Sequence, residues 1–256
     1  MSWAPPVFRR RILAVEKEPL LELRDVHAGY GELSILKGVS FGVGGGTVTS
    51  VIGANGAGKS TLLKTIFGML KVREGDVSFE GRSIAALGTV KRLKAGIAIV
   101  PQGRCNFPQM TIRENLEMGA YTRSDDGIEA DLQHMVDQFP ILREKLHLLA
   151  GDMSGGQQQM LEMAMALMVR PRVLLLDEPS LGLSPMMIDE VFTSIRSLAE
   201  VNGMAIIMVE QNAVQALKIS DLGVVIELGR VSATGTGPEM LNDPDIRKAY
   251  LGLPVI

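Results

Sequence analysis

The chain has 256 residues, a formal net charge of −3 and a single cysteine, Cys105. This length suits one large domain, or one domain with a subdomain, and the slightly acidic balance excludes the global basic field that attracts nucleic acid. One cysteine excludes an intrachain disulfide and fits a reducing compartment. No apolar run reaches the roughly 18–20 residues that span a bilayer, so we expect a cytoplasmic protein.

Residues 1–19 are predicted to be an extension before the folded domain. Three arginines at 9–11 precede the short apolar run 12–15, which falls below the roughly 7–15 residues of a secretory signal core. We therefore expect a solvated, disordered segment. The alternative is a basic tail that contacts a membrane surface or a partner.

The next hundred residues are predicted to form short strands around one helix. Apolar and charged residues alternate over 20–26, a pattern of an edge-type strand that Gly29–Gly31 then breaks. A helix is expected over 59–69, directly after a glycine-rich loop. The further predicted strands are 39–43, 47–52, 77–79 and 96–100.

The chain changes character from about residue 102 and becomes helical. Thr111 and Glu114 have the spacing of a capping box, and 125–138 carries apolar residues at helical spacing. We expect an inserted helical subdomain over about 103–160. A helix over 157–169 carries four methionines, which core packing explains better than a binding role.

The last third predicts strands that alternate with helices. Residues 173–176 and 205–209 are continuous apolar runs, which is typical of parallel strands covered on both faces. Ser184 and Pro185 predict a helix start, and a hairpin is expected to turn at Leu228 and Gly229. Together the elements predict one α/β domain over residues 20–252 with a mainly parallel core.

The segment 53–61, here called the phosphate loop, matches the pattern G-x-x-x-x-G-K-[ST] between a predicted strand and a predicted helix. Its backbone N–H groups and the helix N-terminus suit phosphate oxygens. Lys59 is expected to pair with the β- and γ-phosphates, and the Ser60 hydroxyl to bind Mg²⁺. The alternative is a glycine-rich turn without a ligand.

Two carboxylates follow the buried strand 173–176. Asp177, at the strand's carboxyl end, is expected to hold Mg²⁺ directly or through water. Glu178 is then placed to orient and deprotonate an attacking water. The alternative for this pair is an ordinary acidic helix start before Pro179.

Ser154–Gln157, here called the signature segment, has the sequence SGGQ and lies between the phosphate loop and the two carboxylates. In that order these motifs resemble those of ATP-binding-cassette (ABC) transporter ATPases over about residues 20–252. The chain is most similar to the second ATPase subunit of branched-chain amino-acid importers, with urea-importer ATPases as a close sister group. The segments that carry the similarity are 52–59, 99–104, 153–160, 174–183, 209–213 and 249–252.

The resemblance implies a P-loop NTPase (RecA-like) core, an N-terminal antiparallel β subdomain and the cofactors ATP and Mg²⁺. Tyr30 fits the aromatic that stacks on adenine, although a plain loop tyrosine is the alternative. The implied nucleotide-binding residues are Tyr30, Gly53, Asn55, Gly56, Gly58, Lys59, Ser60, Thr61, Ser154, Gly155, Gly156 and Gln157. The implied catalytic residues are Lys59, Gln102, Glu178 and Gln211, and the implied metal ligands are Ser60, Gln102 and Asp177.

The resemblance also implies partners. The signature segment is expected to contact ATP held by a second ATPase subunit, so that two chains share each site. A heterodimer is favoured over a homodimer. Membrane permease subunits are expected to contact the region Gln102–Met110, where burial of Phe107 within the helical region is the alternative. This would hold the chain at the inner face of the cell membrane.

Two positions depart from the wider ABC pattern. Gln211 stands where a histidine is usual, and its amide can donate a hydrogen bond but carries no positive charge. We expect an active enzyme with slower or differently tuned hydrolysis. The segment Ser180–Leu183 lacks the usual aspartate, which argues against a carboxylate role for that loop.

The predicted function is an ATPase subunit that couples ATP binding and hydrolysis to uptake of branched-chain amino acids. One alternative is the same engine in a urea or amide importer. Others are a non-transport ABC ATPase, or a P-loop switch or kinase that would leave the signature segment unexplained.

Overall fold

The computed structural model describes residues 19–252, so nearly all of the predicted N-terminal extension lies outside the described residues. The strands are β1 Leu21–Tyr30, β2 Leu33–Val43, β3 Val48–Ile52, β4 Glu74–Phe79, β5 Arg82–Ser83, β6 Ile97–Val100, β7 Val173–Asp177, β8 Ala205–Val209, β9 Leu222–Glu227 and β10 Arg230–Gly235. The helices are α1 Lys59–Phe67, α2 Thr89–Ala95, α3 Ile112–Gly119, α4 Ile128–Gln138, α5 Pro140–Glu144, α6 Gly155–Leu167, α7 Pro185–Asn202, α8 Ala213–Lys218, α9 Gly237–Asn242 and α10 Pro244–Ile246, followed by a π-helical turn Arg247–Leu251.

The larger sheet has the strand order β10-β9-β3-β8-β7-β6. The pairs from β9 to β6 are all parallel, and only β10 is antiparallel, to β9. The predicted mainly parallel α/β core is therefore confirmed. Because parallel strands end at one edge, the loops that follow β3, β6, β7 and β8 meet there.

The smaller sheet is antiparallel, with the order β2-β1-β4-β5. Strand β1 pairs with β2 on one side and with β4 on the other, so the prediction of an edge-type strand was wrong. Its alternation arises because Leu21, Leu23 and Val26 are buried while Arg24 and Asp25 face solvent. Helix α1 buries Leu62, Leu63 and Ile66 in a core shared by the two sheets.

Between β6 and β7 the chain forms helices α3 to α6, as predicted. A separate core joins them to the other face of the parallel sheet, and Met160, Met163 and Met168 are buried in it. The packing interpretation of the methionines is thus confirmed. The limits of the inserted subdomain at 103 and 160 stay a prediction.

Several element ends differ from the predictions because of local capping. Helix α1 ends at Phe67, since Gly68 adopts a left-handed conformation with φ 83° and its N–H caps the helix. Helix α4 begins at Ile128 because the Asp125 carboxylate accepts from the Gly127 N–H and pairs with Arg123. The predicted capping box of Thr111 and Glu114 is confirmed, as is the hairpin turn at Leu228 and Gly229.

Across residues 19–252 no helix combines the length and the hydropathy that a bilayer crossing requires.

Candidate active site

The phosphate loop connects β3 to α1. Gly58 precedes the helix with φ 110°, and a Cβ there would lie 3.2 Å from side-chain carbons of Ile35 and Leu36. The positive backbone angle therefore favours glycine, and a larger residue would also require Ile35 and Leu36 to shift by a few tenths of an ångström. The loop matches the sequence prediction in position and in its strand-to-helix setting.

Lys59 is 5% exposed and points back into this loop. Its Nζ donates to the carbonyl oxygens of Gly53 at 2.8 Å and Ala54 at 3.2 Å. Burial lowers the pKa of Lys59, and the nearby carboxylates, Glu178 first, oppose that shift. The ammonium group therefore lies where it can meet an anion that enters the loop.

Asp177, at the end of β7, is hydrogen-bonded to Ser60 in the first turn of α1. The Ser60 Oγ donates to Asp177 Oδ1 at 3.0 Å, which brings two oxygen ligands together from residues distant in sequence. Burial raises the pKa of Asp177, while the Ser60 hydrogen bond and the charges of Lys64 and Lys59 lower it. The pair offers the oxygen chemistry that Mg²⁺ prefers.

Glu178 and Gln102 meet on the open side of the site. The Gln102 Nε2 donates to Glu178 Oε2 at 2.9 Å, so the loops after β6 and β7 are joined at this point. Glu178 has φ 53°, and its N–H donates to the Val209 carbonyl at 2.9 Å. A left-handed conformation is costly for a non-glycine residue, by about 1–3 kcal/mol, and such strain is often found at functional sites.

Lys59, Ser60, Gln102 and Glu178 border one cleft of about 470 Å³, and Asp177 lies behind Ser60 without lining it. It is lined by Ile35, Asn55, Gly56, Gly58, Lys59, Ser60, Thr61, Gln102, Glu178, Leu181 and Gln211. Most of the predicted phosphate-loop residues and the four predicted catalytic residues therefore come together. Sequence reasoning missed Ile35 and Leu181, apolar residues for which no motif exists.

Tyr30 and the signature segment do not line this cleft. The Tyr30 side chain is 45% exposed at the turn between β1 and β2. The signature segment begins α6, where Ser154 and Gln157 form a capping box. Ser154 and Gly155 are exposed, while a Cβ on Gly156 would come within 2.3 Å of Met187 on α7. The helix start is thus fixed against α7 with its polar end open to solvent.

Glu210 is a site residue that sequence reasoning missed. It is 1% exposed, and its carboxylate accepts from the N–H groups of Ser180 at 2.9 Å, Gln211 at 3.0 Å and Asn212 at 3.3 Å. Burial raises its pKa, and these hydrogen bonds oppose the shift. The loop Ser180–Leu183 lacks its own carboxylate but is held by this one. The available signal was its position directly after a buried strand, as for Asp177.

Comparisons with known proteins agree with this geometry. A family model described as "ABC transporter" matches residues 36–181. The chain is 42% identical over 233 residues to the high-affinity branched-chain amino acid transport ATP-binding protein BraG of Pseudomonas aeruginosa, covering 91% of this chain and 100% of BraG. It is 32% identical over 251 residues to BraF of the same organism and of the same description, covering 91% and 98%. The solved ADP conformation of MJ1267, an ATP-binding cassette of an ABC transporter, aligns with a TM-score of 0.79 at 28% identity, covering 92% and 100%.

Proposed function

The chain belongs to the ABC transporter family, and on that basis we propose that it is the ATPase subunit of an importer of branched-chain amino acids. The observation that carries the proposal is the convergence of Lys59, Gln102 and Glu178 on one cleft. The relatives BraG and BraF are both named for branched-chain amino acid transport, which favours that solute class over the urea alternative.

The cleft suggests how this chain handles ATP. The phosphate loop holds the phosphates through its backbone N–H groups, and Lys59 exchanges its two carbonyl partners for β- and γ-phosphate oxygens. Glu178 orients the attacking water and accepts its proton, while Gln102 keeps that carboxylate in place. Adenine then stacks on Tyr30, whose ring is open to solvent.

The residues around Ser60 fit Mg²⁺. Ser60 and Asp177 would hold the ion together with Gln102, and the bound ion neutralises charge on the phosphates. Among residues 19–252 no group of three or more acidic, histidine or cysteine side chains is placed to hold a metal. Mg²⁺ usually keeps several waters and takes few ligands from a protein, and Ser60 and Asp177 offer two oxygens.

The exposed signature segment supports a dimer in which two ATPase subunits share each site. Ser154 and Gly155 lie open at the start of α6, and N–H groups at a helix start bind anions. They would contact the γ-phosphate of ATP held by a second subunit. We favour a heterodimer, because BraG and BraF occur as two distinct proteins of one organism.

An apolar groove of about 380 Å³ is the proposed contact for a permease subunit. It lies beside the glutamine loop, here defined as Gln102–Met110, and is lined in part by Phe107, Met118 and Tyr121. Phe107 is 42% exposed and Tyr121 81% exposed, so the groove presents aromatic surface to solvent. Docking there would hold the chain at the inner face of the cell membrane.

Replacing Tyr121 by arginine is expected to weaken permease binding at least about 30-fold, because a central aromatic contact is worth about 2 kcal/mol or more. Nucleotide binding should stay at the wild-type level. Co-purification with the permease subunits and ATP titration measure the two properties. Val201→Arg, at an equally exposed position on α7, is the matched control. If the Tyr121 variant bound the permease as tightly as the wild type does, the permease contact would have to lie elsewhere on the chain.

Replacing Gln211 by alanine is expected to lower basal ATPase activity about 3–10-fold, the value of one neutral hydrogen bond of 0.5–1.5 kcal/mol. Gln211 is exposed and borders the cleft beside Lys59 and Glu178. Steady-state phosphate release measures the effect, with Gln215→Ala on α8 as the matched control. Equal rates for the Gln211 variant and the wild type would remove a direct role.

Reconstitution tests the function as a whole. The chain is assembled in proteoliposomes with the permease subunits, the second ATPase subunit and the solute-binding protein of its transporter. ATP hydrolysis is expected to rise when leucine, isoleucine or valine is supplied and to stay basal with urea. If only urea stimulated hydrolysis, the solute would be urea and not a branched-chain amino acid. If ATP were hydrolysed without any solute transport, the proposed importer function would be wrong.

A further inference from the structure

Glu162 is a buried carboxylate on α6, a helix whose other buried residues are mostly apolar. It is 2% exposed and lies among buried neighbours that include Leu161 and Met163. Burying a carboxylate in such a place is unfavourable unless the charge is hydrogen-bonded. The burial of Glu162 raises its pKa, while hydrogen bonds from Cys105 and Asn106 oppose that shift. The side chain therefore has a specific set of partners.

The hydrogen-bond donors to the Glu162 carboxylate lie in the glutamine loop. Its Oε1 accepts from the Cys105 N–H at 2.8 Å, from the Asn106 N–H at 3.3 Å and from the Asn106 side-chain amide at 3.0 Å. Hydrogen bonds to an ionised group are roughly twice as strong as neutral ones. One buried oxygen thus ties the loop that begins at Gln102 to the helix that begins with the signature segment.

The other end of the loop has a separate attachment. Asn115 of α3 is fully buried; its Oδ1 accepts from the Phe107 N–H at 2.7 Å, and its Nδ2 donates to the Phe107 carbonyl at 3.0 Å. This second anchor holds the part of the loop that lines the permease groove. Release of Glu162 would therefore free the half of the loop nearer Gln102 without unfolding the rest.

We propose that Glu162 is a positioning residue for ATP hydrolysis, which fixes the glutamine loop to α6 so that Gln102 stays hydrogen-bonded to Glu178. The chain of contacts runs from the signature segment along α6 to Glu162, then through Cys105 and Asn106 to Gln102. It rests on the proposed ATPase role of Gln102 and Glu178. A shift of α6, when its N-terminus meets nucleotide on a second subunit, would move the loop in the same step.

Turnover by Glu162 variants tests the positioning role. In the assembled transporter, Glu162→Ala should lower kcat about tenfold or more while KM for ATP stays constant, because the phosphate loop is untouched. Glu162→Gln keeps an acceptor oxygen and should retain most of kcat. Met163→Ala removes buried volume from the same helix but leaves the hydrogen bonds from Cys105 and Asn106 to Glu162 in place, so it should turn over like the wild type.

Cys105 provides a second readout that needs no hydrolysis. It is the single cysteine of the chain, and part of the residue is exposed to solvent. The pKa of its thiol is raised to about 12, first by burial of the sulphur and second by the negative charge of the Glu162 carboxylate. Both Glu162 variants remove the charge, but only Glu162→Ala also removes the acceptor that holds the loop at Cys105 and Asn106. A maleimide should therefore label Cys105 several-fold faster in Glu162→Ala than in Glu162→Gln.

Three results would overturn the proposal. These are wild-type kcat in Glu162→Ala, an equal loss of kcat in Met163→Ala, or equal labelling of Cys105 in Glu162→Ala and Glu162→Gln. A wild-type assembly that does not hydrolyse ATP would instead refute the proposed function. The labelling rates would still report whether Glu162 holds the loop.

Discussion

Replacing Glu178 by glutamine is expected to lower the rate of ATP hydrolysis at least about 100-fold, since a general base contributes 10²- to 10⁴-fold. The amide cannot take a proton from water. It keeps an oxygen that can accept the hydrogen bond from the Gln102 amide, now 2.9 Å long, so the geometry of the site should be preserved. ATP binding should be unchanged, because Lys59 and the phosphate loop are not altered.

The measurement pairs single-turnover hydrolysis with equilibrium binding of ATP to the same variant. Glu190→Gln on α7 makes the same chemical change at an exposed position outside the cleft and should behave like the wild type. If Glu178→Gln turned over within about threefold of the wild type, another group would have to be the base. If it lost ATP binding as well, Glu178 would act on the nucleotide rather than on water.

The phosphate loop and its flanking elements were predictable because the motif is local. A strand, a glycine-rich turn and a helix start within a few residues fix the backbone, and the φ of 110° at Gly58 favours glycine there. The role of Asp177 followed from its place at the carboxyl end of a predicted buried strand. The role of Gln102 was implied by the resemblance to ABC ATPases.

Contacts between segments far apart in sequence were not predictable in the same way. Glu210 binds the Ser180 N–H across 30 residues, and Glu162 binds the Cys105 N–H across 57 residues. A buried carboxylate in an apolar segment signals that such a contact exists, but it does not name the partner. Strand β1 illustrates the same limit, since alternation reports which face is buried and not how many neighbours a strand has.

The signature segment and the cleft lie apart within this chain. Ser154 lies at the exposed start of α6 and not in the cleft that holds Lys59 and Glu178. Sequence motifs from one active site need not meet within one subunit. For this chain we propose that they meet across a dimer interface, which would make hydrolysis depend on association.

Replacing Arg92 by methionine is expected to lower the free energy of unfolding by about 3 kcal/mol or more, because several buried acceptors lose their donor. The Arg92 side chain is 1% exposed, and burial lowers its pKa. It donates to the carbonyls of Leu87, Thr65, Ile66 and Ala85 at 2.8, 2.8, 2.7 and 3.1 Å. Two of these carbonyls lie in the last turn of α1, where helical partners run out.

Thermal and urea unfolding measure the change, which corresponds to a fall in Tm of roughly 6–12 °C for a domain of this size. Arg92→Lys should recover only part of the loss, because an ammonium group cannot reproduce the planar set of donors that serves four carbonyls. Arg82→Met, at an exposed position on β5, is the matched control and should change stability by less than about 0.5 kcal/mol.

Since Arg92 closes the end of α1 opposite the phosphate loop, folded Arg92→Met should also bind ATP more weakly. Wild-type stability would mean that water satisfies these carbonyls and that Arg92 does not hold the helix.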